Sequence, residues 1–547
     1  MAGTWQGLVN QPPFEVSSMF LLSDGRVMVQ EEATAHWHAL TPDSSGSYIN
    51  GTWSPLKDMS FWRRYYASGT LKDGRFILIG GEQSGDGGDS NKGEIYDPVS
   101  DTWTPLPPPG TWTQVGDASC CILPDGRLMI GALLTPECII YDPVTNSWSP
   151  AASKAVRSNE ESWVLLPDDT IVTIQCFPPY ETEKYIISAD MWKSEGALPV
   201  PIVDHVMHEI GPGMLLYNGH VIYFGAAKDK NHAHTVLYTP PAFPTGTGVW
   251  KAGPQIPIVN GQTMVCNDSP ATLLPNGKVL FASAPFENND WGKPILFFEY
   301  DPASNTIAQA PTPSNNEVPA PPYPKGAQLY WSRQVLLPTG QMLFSPSSTN
   351  IQCYTPVGGP QEAWRPTISA VIPHCNPPYC LLKGTQLNGL SQANMYGDDC
   401  CPATNYPLVR LRNTATNRIY YCRTYDFSTM GVATGASLQS VRFDISKLPY
   451  GNYDLCVVAN GISSHCVDFC HCRPHEHCCC EGHEKRECGC CKESCCHSSC
   501  CCGEQKPDPI IIRLQDEVQT LQNTVRRLTS QTQIEEGARQ TKEVTKE

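Results

Sequence analysis

Two sets of residues in this 547-residue chain are of types that do chemistry, and they lie far apart. The first fills 465–502, where 14 Cys and six His share 38 positions with few apolar neighbours. Its candidate ligands are Cys466, Cys470, Cys472, His475, His477, Cys478, Cys479, Cys480, Cys488, Cys490, Cys491, Cys495, Cys496, Cys500, Cys501 and Cys502. Thiolates and imidazoles at such short spacing suit Zn²⁺ or Cu(I) in a reducing compartment. In an oxidising compartment the same thiols become disulfides. The second set is acidic. Glu15, Asp117, Glu160, Glu209 and Asp268, with Arg64 among them, each stand eight or nine residues ahead of a tight turn, as do Tyr65 and Tyr330. If these side chains converge, their repulsion raises some of their pKa values until a cation neutralises them. Such a mouth binds a divalent cation such as Ca²⁺, an amine or a polyhydroxylated ligand. The plainer reading is that acids populate solvated strand ends.

The elements that must position the acidic set are repeated. An apolar run enters a turn and leaves as a second apolar run seven times: LLSDGRVMV, TLKDGRFILIGG, ILPDGRLMIGA, LLPDDTIVTI, LLYNGHVIYFG, LLPNGKVLFA and LLPTGQMLFS. Asp-Gly and Asn-Gly supply the positive φ angles that a two-residue hairpin needs. Tyr-Asp-Pro or Tyr-Thr-Pro follows at Tyr96, Tyr141, Tyr238, Tyr300 and Tyr354, and a Trp closes most copies. The turns recur every 43 to 63 residues, the size of a propeller blade. Trp5, in GTWQGL, resembles the blade-closing GTWSPL and DTWTPL, so the first strand is expected to complete the last blade. The reading is all-β: a seven-bladed propeller over 1–365, then short alternating strands over 366–465 that fit one sandwich.

Composition narrows the function classes. A formal charge of −16 argues against nonspecific binding of nucleic acid. No run of 18 apolar residues is present, so no membrane span is expected. The start, MAGTWQGLVNQPPFEV, shows no signal peptide, which makes the cytoplasm the default and leaves a surface or particle location open. The scattered cysteines read as buried thiols with local pairs such as Cys375 and Cys380.

The seven cassettes resemble the kelch propeller of the galactose oxidase and glyoxal oxidase family. The strands after 365 resemble that family's C-terminal immunoglobulin-like domain, also seen as IPT/TIG modules. The resemblance implies one copper held by two tyrosines and two histidines, with a cysteine cross-linked to one tyrosine. RRYYASGTLKDG places that tyrosine at Tyr65 or its neighbour Tyr66. LYWSRQVLLPTG places the second at Tyr330, with Trp331 where the histidine is expected. MYGDDCCPATNYPLVRL places Cys400 or Cys401 near the other histidine, and PPFEVSSMFLLSDG offers no cysteine for the cross-link. With both imidazoles missing, the expectation is against a catalytic copper.

After the cysteine tract, over 508–530, Ile511, Leu514, Val518, Leu521, Val525 and Leu528 alternate in steps of three and four. That is a coiled-coil seam with β-branched residues at a and Leu at d, which favours a parallel homo-oligomer; the polar tail follows at 531–547. The expected function is a non-enzymatic scaffold presenting propellers to a glycan or protein ligand. The alternatives are a copper-radical oxidase and a carbohydrate-active propeller using the acidic mouth.

Overall fold

The computed structural model describes residues 3–229, 232–287, 290–291, 294–313, 329–375, 377–396 and 402–472. The described chain is all-β, with three short 3₁₀ turns and no α-helix. Successive antiparallel sheets follow one another over 16–56, 63–105, 120–151, 164–197, 213–252, 264–309 and 333–355. Each runs in simple up-and-down order, the repeat unit of a propeller. The N-terminal strand Thr4–Gly7 pairs with Gln352–Thr355 and so completes the last sheet with the first residues of the chain.

The turns differ from the expected two-residue hairpin. In the first copy Leu22 and Arg26 flank a three-residue loop, and only Gly25 has positive φ, at 80°. This is a type I turn followed by a left-handed residue. Asp24 stays right-handed because its Oδ1 accepts the Arg26 N–H at 3.1 Å, fixing the turn through its side chain. The same logic admits Asp169 at φ 58° where the fourth copy lacks glycine.

The Tyr repeats fix turns within a sheet, and the Trp repeats latch a sheet to what precedes it. Tyr96, Tyr141, Tyr185 and Tyr300 each donate their hydroxyl to a left-handed Asp or Asn five residues on, at 2.7–3.0 Å. Trp53, Trp103 and Trp148 donate their indole N–H to a backbone carbonyl of the preceding sheet or segment at 2.8–3.0 Å. Of the residues that repeat in sequence, the Trp residues tie neighbouring units together.

Two further antiparallel sheets cover 370–471. They share a core (Leu382, Leu411, Val441, Phe443, Leu455) that is continuous with the first sheet's Met19, Leu21 and Val29. Tyr406 donates to the Leu21 carbonyl, and Thr424 to that of Ser23 at 3.1 Å. Val467–His471 pairs with Gly451–Ala459, so the sheet continues beyond 465. Cys466 is joined to Cys456 in a disulfide and offers no thiolate to a metal. Cys380 is buried and free, against the expected local pair. Cys470 and Cys472 lie with their sulfurs 2.7 Å apart. The remaining cysteine and histidine candidates from His475 onward, the coiled-coil seam and Cys401 lie outside the described residues.

Candidate functional site

One strand from the C-terminal region reaches the centre of the sheets. Asn394–Tyr396 pairs antiparallel with Pro270–Leu273, the innermost strand of the sixth sheet. Gln392 accepts the Leu165 N–H at 3.2 Å, Ser391 donates to the Leu215 carbonyl at 2.6 Å, and Asn394 donates to that of Gln334 at 2.8 Å. The segment thereby touches the innermost strands of four sheets and brings Tyr396 opposite Pro270, at the end of the strands away from the turns.

At that end the backbone is repeatedly left-handed. Tyr65 (51°), Glu160 (64°) and Asp268 (42°) have positive φ, as do Gly116 (58°) and His208 (66°), which precede Asp117 and Glu209. Such conformations cost free energy in non-glycine residues and persist where surrounding structure holds them. Here they aim the acids at one another. Carboxylate oxygens of Glu160, Glu209 and Asp268 lie within 4.8 Å of one another. The Asp268 N–H donates to the Ile210 carbonyl at 3.1 Å, and Asn159 donates to Glu160 Oε1 at 2.7 Å, so two of the three are fixed from behind.

Their charges are mutually unfavourable. Burial pushes the Asp117 carboxyl up to about 7, helped by the negative charges of Glu82, Asp268 and Asp89. Burial also pushes Asp268 up to about 6; a hydrogen bond with Glu209 and the positive Arg333 oppose that rise, and Glu82 adds to it. Asp268 and Glu209 are close enough to hydrogen-bond, which two carboxyls do only when one carries a proton. Glu82 and Asp89 are raised as well, both by burial first.

Beside the acids stand the phenols. The Tyr65 and Tyr330 rings are 6.2 Å apart at 57°. Trp331 packs edge-on against Tyr330 at 5.6 Å. Around the rim, His205 stacks on Tyr180 at 3.9 Å and His208 on Phe177 at 4.2 Å, with Val206 and Met207 exposed between them.

Not every candidate joins this group. Arg64 is buried in an ion pair with Glu32, and Glu15 contributes a backbone carbonyl to the Glu32 N–H at 2.8 Å. In the Gly/Asp-rich loop 81–93, Asp86 is satisfied by Ser84, Ser90 and Lys92, while Asp89 accepts from Gln114 at 3.3 Å. Sequence reasoning missed Glu82, Arg333 and Tyr396. Glu82 had a signal, since it lies on the second strand of a cassette whose first strand already supplied a candidate.

The kelch motif family matches residues 63–110, a span that includes Tyr65. Galactose oxidase from Gibberella zeae is 40% identical over 84 residues, 15% of this chain, and a second galactose oxidase from the same organism matches equally. The match spans 12% of the length of those relatives. Among solved structures, a fungal alcohol oxidase of the AA5 family in complex with copper aligns with a TM-score of 0.48 at 14% identity, over 86% of this chain and 99% of its own. A streptogramin B lyase aligns at 0.40 and 11%, over 65% and 98%. Residues 63–110 thus carry a kelch motif, and an 84-residue stretch of the chain is similar to galactose oxidase. The galactose oxidase stretch overturns the expectation of a non-enzymatic scaffold and favours the oxidase alternative. It likewise overturns the expectation against a catalytic copper.

Proposed function

We propose that the chain is a galactose oxidase-like copper oxidase acting on an alcohol at the acidic mouth. In this reading the seven sheets close as blades of one ring, and the two C-terminal sheets form an immunoglobulin-like sandwich that sends Tyr396 into it. The observation that carries the reading is the meeting of Tyr65 and Tyr330, which come from the second and last sheets and stand 6.2 Å apart.

The donors fit copper through oxygen. Tyr65 and Tyr330 would hold it by their phenol oxygens, the oxygen part of the N and O donor set that suits Cu(II). Trp331 supplies none, so this set departs from the family pattern at that position. Copper, when bound, supplies one-electron redox chemistry for the oxidation of the alcohol. The chain's own residues do the rest. Asp117, with an acid constant of about 7, is poised to take a proton near neutral pH. Glu160 and Glu209 accept hydrogen bonds from substrate hydroxyls, and the Tyr180 and Phe177 stacks wall the rim.

Copper-loaded protein supplied with galactose and dioxygen should release hydrogen peroxide, and Tyr65→Phe should lower that rate by a factor of a hundred or more. Protein that retains no copper after dialysis and releases no peroxide sinks the reading. A second reading, Ca²⁺ at the mouth, rests on the three carboxylates within 4.8 Å. Isothermal titration with CaCl₂ at pH 7 should then show one site, since the ion neutralises three carboxylates that repel one another. Absence of heat in wild type removes it.

A further inference from the structure

One buried cation stands between the phenols and the acids, and sequence reasoning did not single it out. Arg333 is only 4% exposed and lies three residues after Tyr330. Its guanidinium carbon sits 3.9 Å from the centre of the Tyr396 ring and 5.6 Å from that of Tyr65. One of its terminal nitrogens donates to the Tyr330 carbonyl at 2.6 Å and to that of Ser332 at 2.9 Å. Tyr396 donates its hydroxyl to the same Tyr330 carbonyl. We propose that Arg333 is the positioning residue of the phenol pair, holding Tyr330 through its backbone and Tyr65 through its ring face while answering the charge of Asp268.

The physical case has three parts. A guanidinium is planar and forked, so it can stack on rings and donate at its edge at once, which an ammonium cannot do. A cation over an aromatic face fixes the ring by attraction to its negative face. A buried charge also needs a partner of opposite sign, and the acids of the mouth supply one; the positive charge of Arg333 acts on Asp268 directly. Arg333 thereby links the second sheet, the sixth, the last and the strand from the C-terminal region. Arg64, the arginine expected at the mouth, is committed to Glu32 instead.

The inference rests on Tyr65 and Tyr330 being the reactive pair, and its test has an arm that needs no copper. Full-length protein is labelled with 3-fluorotyrosine, and the Tyr65 and Tyr330 fluorine signals are assigned from Tyr65→Phe and Tyr330→Phe. In metal-free wild type both signals should be single and narrow. In Arg333→Met both should shift and broaden or double while the thermal midpoint stays within a few degrees; Arg333→Lys should recover the midpoint but not the narrow signals. In the second arm, Cu²⁺ titrations should show at least a tenfold loss of affinity in Arg333→Met, with a weakened phenolate-to-copper absorption band. Fluorine signals in a folded Arg333→Met that match wild type overturn the proposal. If that variant does not fold, wild-type signals in Arg333→Lys overturn it equally. A wild-type chain that binds no copper sinks the oxidase reading alone, and the fluorine arm still decides the role of Arg333.

Discussion

The innermost strands carry acids at both ends, and the two ends treat them differently. At the turn end, Asp24, Asp73 and Asp125 are each saturated locally: one oxygen accepts the backbone N–H of the Arg two residues on, and the other accepts that residue's Nε at 2.8 Å. Every such acid has a cation supplied by its own cassette. At the mouth end, Asp117, Glu160, Glu209 and Asp268 come together from four sheets, and the cation that acts on Asp268, Arg333, comes from the last sheet. The turn end is built from local sequence and serves folding. The mouth end concentrates like charge and left-handed backbone, which lowers stability and is what a binding or reaction site requires.

A third group of acids shows that burial alone does not make the difference. Lys154 lies between Glu161 at 2.7 Å and Glu183 at 2.9 Å, all three buried, with its ammonium 4.6 Å from the Trp192 ring. Burial pushes Glu161 up to about 7 against the pull of Lys154. This cluster carries its own cation, so removing that cation should be expensive. Lys154→Ala should cost about 3–5 kcal/mol in denaturant unfolding, because it strands two carboxylates. A loss below about 1 kcal/mol would mean that these acids tolerate solitude as the mouth does, and the contrast would collapse.

The mouth predicts the opposite sign. Asp117 binds a proton in the folded chain up to about pH 7, whereas its ordinary value is 3.8. Between those values the folded state holds more protons than the unfolded one, so wild-type stability falls as pH rises through the window. Asp117→Asn removes that loss. It should be more stable than wild type by about 1–3 kcal/mol at pH 8, with the gain vanishing by pH 4. Equal melting temperatures at pH 8 would show that Asp117 is solvated.

The split also explains what was legible in the sequence. The turns, the Tyr contacts and the Trp closures are local, so their residue types recur wherever the geometry recurs. Counting back from a turn reached Glu160, Glu209 and Asp268 because each first strand begins at a comparable place in its sheet. The type of turn was misjudged at Asp24, since Asp-Gly suits both a two-residue hairpin and a type I turn with a left-handed glycine. Arg333 and Tyr396 were hidden for a different reason. Their role depends on a strand from the C-terminal region pairing with the sixth sheet, and no periodicity encodes that long-range pairing. Cys466 was read with its cysteine-rich successors because adjacency in sequence hid its cross-strand partner Cys456. Trp331 was read as a lost ligand, and the structure gives it a packing place against Tyr330.

The smallest effect is the sharpest check on the turn end. Asp73 and Arg75 form an exposed pair, with side chains 37% and 30% accessible. Exposed pairs contribute little, and the Asp73 oxygen that fixes the turn can be supplied equally by an amide. Asp73→Asn should therefore change stability by less than about 0.5 kcal/mol, and 0.5 M NaCl should erase what remains. Gly74, at φ 80°, is where this turn cannot yield: a Cβ there would lie 2.5 Å from the Thr424 carbonyl oxygen. If Asp73→Asn instead cost more than about 1.5 kcal/mol, the carboxylate would matter for its charge, and the acids at the two ends of the strand would be doing the same job.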